Sequence, residues 1–131
     1  MRLSEEECWT RLGESDHGVL ATVHERRGVD AVPVVFALSG RDVVIPIDTV
    51  KAKRTTDLQR ARNVASDPRC VLLVDHYAAD WSTLWWVRVH GLAARSTDIP
   101  DTLQRFPAYR TPGAVDSVLV LSPTEVTGWT A

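Results

Sequence analysis

Two successive apolar runs, AVPVVFAL at 31–38 and RDVVIPID at 41–48, each carry a proline where a strand should run unbroken. Proline has no N–H to give to a β-ladder, so a strand that contains one must lie at a sheet edge, a bulge or a gap. Here the two strands follow one another, separated only by the tight turn at Ser39 and Gly40. A fully paired sheet cannot hold both in its interior, and the fold is expected to be open near Pro33 and Pro46.

The neighbouring runs set the class. GVLATV at 18–23 is strand-like, and ERRGVD after it has the composition of a turn. Residues 31–38 put Val32, Val34, Phe36 and Leu38 on one face by period-two alternation. RCVLLVDHY at 69–77 is almost continuously apolar, as a central strand would be, and LWWVRVHGLAA at 84–94 is another strand. A last one covers Ser117 to Leu121 and extends toward Trp129. Ser4 with Glu7 three residues later forms a capping box for a helix to about Gly13, which docks through Leu3, Cys8, Trp9 and Leu12. Asp98 to Phe106 reads as one further short helix. The pattern predicts a mainly β protein of six antiparallel strands with a helix after the third. Such strands close into a small barrel, because closure removes exposed edges.

With 131 residues, 44% hydrophobic and 24% charged, the chain reads as a single barrel domain over 1–131, without internal repeats or linkers. Its net charge of −2 argues against a general nucleic-acid or membrane-surface binder, so any basic site must be local. No apolar run approaches the roughly 20 residues that span a bilayer, and the acidic opening MRLSEEECW has no signal-peptide character. A cytoplasmic protein is expected. Cys8 and Cys70 lie far apart without metal-ligand spacing, and His17, His24, His76 and His90 form no HxH or HxxxH pair. Reduced thiols and no metal site follow.

One stretch stands apart: PIDTVKAKRTTDLQRARN at 46–63 holds both lysines, Lys51 and Lys53, of a chain that carries thirteen arginines. A helix starting near Thr56, capped by Thr55 or Thr56 and packed through Leu58, Ala61 and Ala65, would follow directly on Lys51, Lys53 and Arg54. Backbone donors, hydroxyls and cations would then converge on one volume that suits a phosphate. The competing reading is a solvated charge cluster. A second open pair of readings concerns residues 85–90. Trp86, Arg88 and His90 share one strand face and Trp85, Val87 and Val89 the other. The first face is either a subunit interface or an aromatic wall for a flat ring supported by Arg88. No nucleophile elbow is present, and Asp75 and His76, as strand neighbours, point to opposite faces.

In order, LATV, VPVVFAL, the segment from Pro46 through His76 and Tyr77, and WWVRVHG resemble the flavin- and deazaflavin-binding split β-barrels of the pyridoxamine-phosphate-oxidase-like superfamily. The likeness is strongest to the actinobacterial branch of F420-dependent enzymes and runs from about Gly18 to the closing LSPTEVTGW. Its most specific segment is Asp48 to Asp75, with Asn63, Asp67 and Pro68 ahead of the apolar strand. The resemblance implies an FMN-binding type of split barrel, a homodimer with cofactor in grooves between subunits, and a phosphate on Lys51, Lys53, Arg54, Thr55 and Thr56. It places the ring system along Val32, Pro33, Val34 and Pro46, Ile47, Asp48, with Trp85 or Trp86 contributed by the partner. F420 is the implied cofactor, serving hydride transfer to a small conjugated, electron-poor substrate; the alternatives are an FMN-binding oxidase or electron carrier of the same fold, or a protein that binds such a cofactor without turning it over. The proton for that substrate would come from water or from His24, His76 or Tyr77, and the resemblance identifies no catalytic residue. The chain shows no counterpart of the C-terminal substrate-binding extension of true pyridoxamine phosphate oxidases, so oxidation of pyridoxine phosphate is not expected.

Overall fold

The computed structural model describes residues 1–49 and 58–131. Seven strands form one antiparallel sheet: β1 His17–His24, β2 Gly28–Val35, β3 Ala37–Ser39, β4 Asp42–Asp48, β5 Arg69–His76, β6 Trp85–Ser96 and β7 Val115–Thr130. The helices are α1 Glu5–Glu14 and α2 Gln59–Ser66. In space the strand order is β2-β1-β5-β6-β7-β4-β3. Its two ends, β2 and β3, are separated in sequence by Phe36 alone. A flat sheet cannot satisfy that connection, so the sheet must curl until its two edges meet, and the result is a barrel.

The expected six strands become seven at Phe36. The apolar run 31–38 gave no sign of a break, yet there the chain leaves one edge of the sheet and begins the other, and the Phe36 N–H donates to the Asp16 carbonyl instead of to a strand. The inward face is kept across the break: Val34 and Phe36 lie in the core, with Val32 and Leu38 packed against it.

That core fills the barrel. Leu20, Leu72, Val74, Val87, Val89, Leu119 and Leu121 alternate inward from their strands, and Cys8, Trp9 and Leu12 of α1 close one opening. Along β7 the inward set changes parity. Thr124 has no partner in the β6 register, which steps from Glu125 opposite His90 to Pro123 opposite Gly91. This bulge lets both Leu119 and Val126 reach the core. Gly91 is required beside it, since a Cβ there would sit 2.4 Å from the Ser122 carbonyl oxygen.

A second, smaller core lies outside the barrel wall. Residues between β6 and β7 fold back over β4 as two 3-10 turns, Asp101–Arg105 and Pro107–Arg110, where the sequence predicted one helix. Leu103, Tyr109 and Ala114 pack there on Ala37, Val44 and Val118. In consequence β4 is buried on both faces from Val43 to Asp48.

The capping box on α1 forms, with the Glu7 N–H donating to Ser4 Oγ at 3.1 Å and the Ser4 hydroxyl donating to Glu7 Oε1 at 3.0 Å. Helix α2 departs from expectation. It starts at Gln59, and its N-cap is Leu58, in extended conformation and without a side-chain cap bond. The Leu58 carbonyl accepts from the Ala61 and Arg62 N–H groups while its side chain packs on the barrel core. An apolar anchor stands at this helix start; Thr55 and Thr56, the expected caps, lie outside the described residues. With the start moved, Ala61 and Val64 are the buried contacts and Ala65 is exposed.

Candidate functional site

Both strand prolines lie where the ladder is missing. β2 pairs only with β1, and Pro33 is opposite Val19 in that register. β3 covers β4 only from Asp42 to Val44. Beyond it, Ile45 to Asp48 pair with β7 on one side and have no strand partner on the other among the described residues. β2 and β4 approach one another without forming a ladder. The barrel is thus split between two strand edges that form no ladder with each other among the described residues.

The ring-site residues divide along this split. Val34 and Ile47 are core side chains, so only their backbone is open to a ligand. Val32 is half-buried against the same core, and Pro33 is exposed on the outer face. Pro46 is buried. Asp48 is only 2% exposed, and its carboxylate turns away from the barrel interior to accept a 2.6 Å hydrogen bond from the Tyr109 hydroxyl. Burial, followed by that carboxylate, pushes the Tyr109 pKa upward, which keeps the phenol a donor. The register of β4 on β7 shifts between Ile47 and Asp48. Just beyond, the Thr49 N–H and hydroxyl both bond the Ala114 carbonyl, at 2.8 and 3.2 Å. Lys51, Lys53, Arg54, Thr55 and Thr56 lie outside the described residues.

Around the other end of α2 stands a polar network. The Asn63 amide N–H2 donates to Thr22 Oγ1 and to Asp30 Oδ2, each at 2.9 Å, and its carbonyl accepts from Gln59. Asp30 also receives a two-pronged bond from Arg27. These contacts, the Arg27 fork first and Asn63 second, bring the Asp30 pKa from 3.8 to about 2. Asn63 stood in the sequence as part of the family-like segment, but its role as the tie between α2, β1 and β2 was not visible there. His24, one of the residues considered as a proton source, is nearly buried. Its Nδ1 accepts from the Arg26 and Arg27 N–H groups, so Nε2 carries the proton. Neither His76 nor Tyr77 is buried.

The two tryptophans face opposite ways, as alternation required. Trp85 packs against the barrel core under Arg11 of α1, at 5.1 Å. Trp86 is half-buried on the outer face with Arg88 over its ring at 5.0 Å. That outer face is apolar for a surface, with Val19, Val29, Leu73, Leu92 and Trp129 exposed. A cleft of about 360 Å³ between Val29, Val71, His90 and Leu92 lies on it. His90 Nδ1 and Thr127 Oγ1, which belong to the same face, are shut off from solvent without hydrogen-bond partners. Among the described residues no three His, Cys, Asp or Glu side chains are grouped to hold a metal, and no helix is long and apolar enough to cross a membrane.

A seven-stranded sheet curled on itself and split between β2 and β4 is a split β-barrel. The chain belongs to the pyridoxamine 5'-phosphate oxidase family, whose model matches residues 4–130. Solved structures share the fold at low identity. An FAD-binding protein from Mesorhizobium loti is 22% identical with TM-score 0.66, the match covering 98% of this chain and 95% of that one. The FAD binding protein from Mycobacterium smegmatis is 21% identical with TM-score 0.64, covering 98% and 96%. A conserved hypothetical protein from Mycobacterium tuberculosis is 19% identical with TM-score 0.72, covering 98% and 85%. Among curated proteins no significant match is found.

Proposed function

We propose that this protein is an F420-dependent oxidoreductase, passing hydride between reduced F420 and a small conjugated, electron-poor substrate. The observation that carries the reading is the split itself. Two strand edges with unladdered backbone groups stand beside the end of β4, directly ahead of the segment that contains both lysines. Backbone donors and acceptors on such edges suit the pyrimidine edge of a flat tricyclic ring, and the cations suit its phosphate. Choosing F420 over a flavin rests on the likeness of Asp48 to Asp75 to the deazaflavin branch.

When bound, reduced F420 supplies the hydride. The chain's own part is to bind and orient through the β2 and β4 edges, and to limit water through the buried wall of β4 and its cover at Leu103 and Tyr109. No protein nucleophile is required.

The outer face of β2, β1, β5, β6 and β7 is assigned to a second copy of this chain. Its exposed apolar side chains adjoin the β2 edge of the split. Leu73→Glu should then shift the protein from dimer to monomer in sedimentation. A wild-type monomer at tens of micromolar would remove this assignment.

A flavin reading within the same fold is favoured by one observation, the FAD binding of the M. smegmatis and M. loti proteins. Titration separates the two. The F420 reading expects a colourless protein that quenches F420 fluorescence in the micromolar range and ignores FMN and FAD. A yellow protein as purified, or flavin binding without F420 binding, overturns it in favour of flavin.

A further inference from the structure

A polar cavity of about 240 Å³ lies between α2 and the turn that joins β1 to β2. Gln59, Arg62, Asn63 and Ser66 line it from the helix, and their i, i+3, i+4, i+7 spacing places them on one helical face. Opposite stand His24, the last residue of β1, and the turn residues Glu25 and Arg26. None of these belongs to the β2 or β4 edges of the split.

His24 is the buried member of this wall with a donor to spare. Inward alternation along β1 takes Gly18, Leu20, Thr22 and His24 out of solvent, and His24 is only 6% exposed. Its Nδ1 accepts from the Arg26 and Arg27 N–H groups, each at 3.0 Å. A neutral imidazole that accepts at one nitrogen carries its hydrogen on the other. Nε2 is therefore a donor, on the side of the ring turned from the turn backbone, and it has no hydrogen-bond partner among the described residues. Asn63 beside it is fully engaged by Thr22, Asp30 and Gln59. The network under the cavity is closed, and the His24 N–H is left out of it.

The rest of the wall favours negative charge. Arg26 is exposed, and its guanidinium makes no hydrogen bond or ion pair among the described residues. Arg62 donates through Nη2 to Gln59 Oε1 at 2.7 Å, and Gln59 donates in turn to Asn63, which holds that cation along the helix face. Ser66 adds a hydroxyl. The acid in the wall is Glu25, which is exposed. A buried N–H without an acceptor is unfavourable, and an oxyanion supplies that acceptor together with a partner for the guanidinium.

We propose that this cavity binds a small oxyanion, the carboxylate or phosphate end of a small acid, through His24 Nε2–H and Arg26. A water molecule takes about 30 Å³ of liquid volume, so the space admits the anion with a short carbon chain behind it. The site is separate from the cofactor groove and does not depend on which cofactor that groove takes.

The test follows the ring-nitrogen signals of His24 by NMR while sodium phosphate, sodium succinate or, at matched ionic strength, sodium chloride is added. Phosphate or succinate should move the Nε2 signal along a saturable curve with a Kd of about 1 mM or tighter, and chloride should leave it in place. The tighter of the two names the headgroup. In calorimetry Arg26→Ala should weaken that anion about 3-fold or more, and Glu25→Gln should strengthen it. His24→Asn keeps an oxygen for the turn N–H groups but lacks the Nε2 donor, and should bind about 10-fold or more weakly. Arg26 and Glu25 are exposed, so their variants decide the matter even where His24→Asn does not fold. A His24 signal that neither anion moves at about 20 mM, or equal affinity in wild type and Arg26→Ala, overturns the inference. Loss of the anion-induced shift on saturation with F420 or FMN also overturns it, since the anion then belongs to the cofactor groove. Arg26→Ala should quench F420 fluorescence as wild type does, which keeps this result distinct from any failure of the cofactor reading.

Discussion

The two polar clusters on either side of α2 are built from similar residues and differ in one respect. Around Asn63, every amide and carboxylate group described has a partner: Thr22, Asp30, Gln59 and Arg27 close a network that ties the helix to β1 and β2. Around Arg60, Asp48 and Tyr109 pair with each other and Arg60 Nε is buried without a hydrogen-bond partner. Polar groups taken out of water are stabilising when the set is closed and costly when it is open. The closed cluster has the character of a structural fastening, and the open one leaves a buried donor unsatisfied.

Breaking the closed side should have the largest effect on stability. Asn63→Ala strips Thr22 and Asp30 of a donor and Gln59 of an acceptor inside the barrel wall, and should cost about 2 to 3 kcal/mol. Urea unfolding will measure it, and a change within about 0.5 kcal/mol would mean that the network does not fasten the helix. On the open side, Tyr109→Phe removes the hydroxyl that donates to Asp48 Oδ2 and should cost about 1 to 2 kcal/mol. A loss in that variant as large as in Asn63→Ala would erase the distinction between the clusters. The smallest effect is a pH dependence on the closed side. Asp30 is lowered from its ordinary 3.8 to about 2, so its contribution to stability is complete above the ordinary value. That contribution is lost as the pH falls through the folded one. Wild type and Asp30→Asn should accordingly differ in urea midpoint at pH 6 and converge as the pH is lowered from about 4 to about 2. A gap that persists unchanged at the acid end would show that Asp30 acts through packing instead of charge.

Much of the barrel was legible in the sequence because strand burial leaves a period of two. Trp86 and Arg88 out and Val87 and Val89 in followed from alternation alone, and the two prolines announced unpaired edges that the strand order then placed on β2 and β4. Local signals were also read correctly at Ser4 and Glu7. The break at Phe36 escaped notice because its cause is distant: the run stays apolar and on the same face, while the ladder partner changes from β1 to β4. The start of α2 was misplaced for a similar reason. Thr55 and Thr56 looked like caps, yet the contact that sets the boundary is Leu58 on the barrel core, a tertiary effect. Least visible was the pairing of Asp48 with Tyr109, 61 positions apart, which only the folding of the 3-10 turns over β4 brings about.

The central claim is that the β4 end of the split, with the lysines that follow it, holds the phosphate of a deazaflavin. Its most direct test is fluorescence titration of F420 into wild type and into the Lys51→Ala, Lys53→Ala double variant, with thermal unfolding as control. Micromolar quenching by wild type, weakened by about 2 to 4 kcal/mol in the double variant without a fall in thermal midpoint, is the result predicted. An affinity for F420 that is unchanged when both lysines are removed would contradict it.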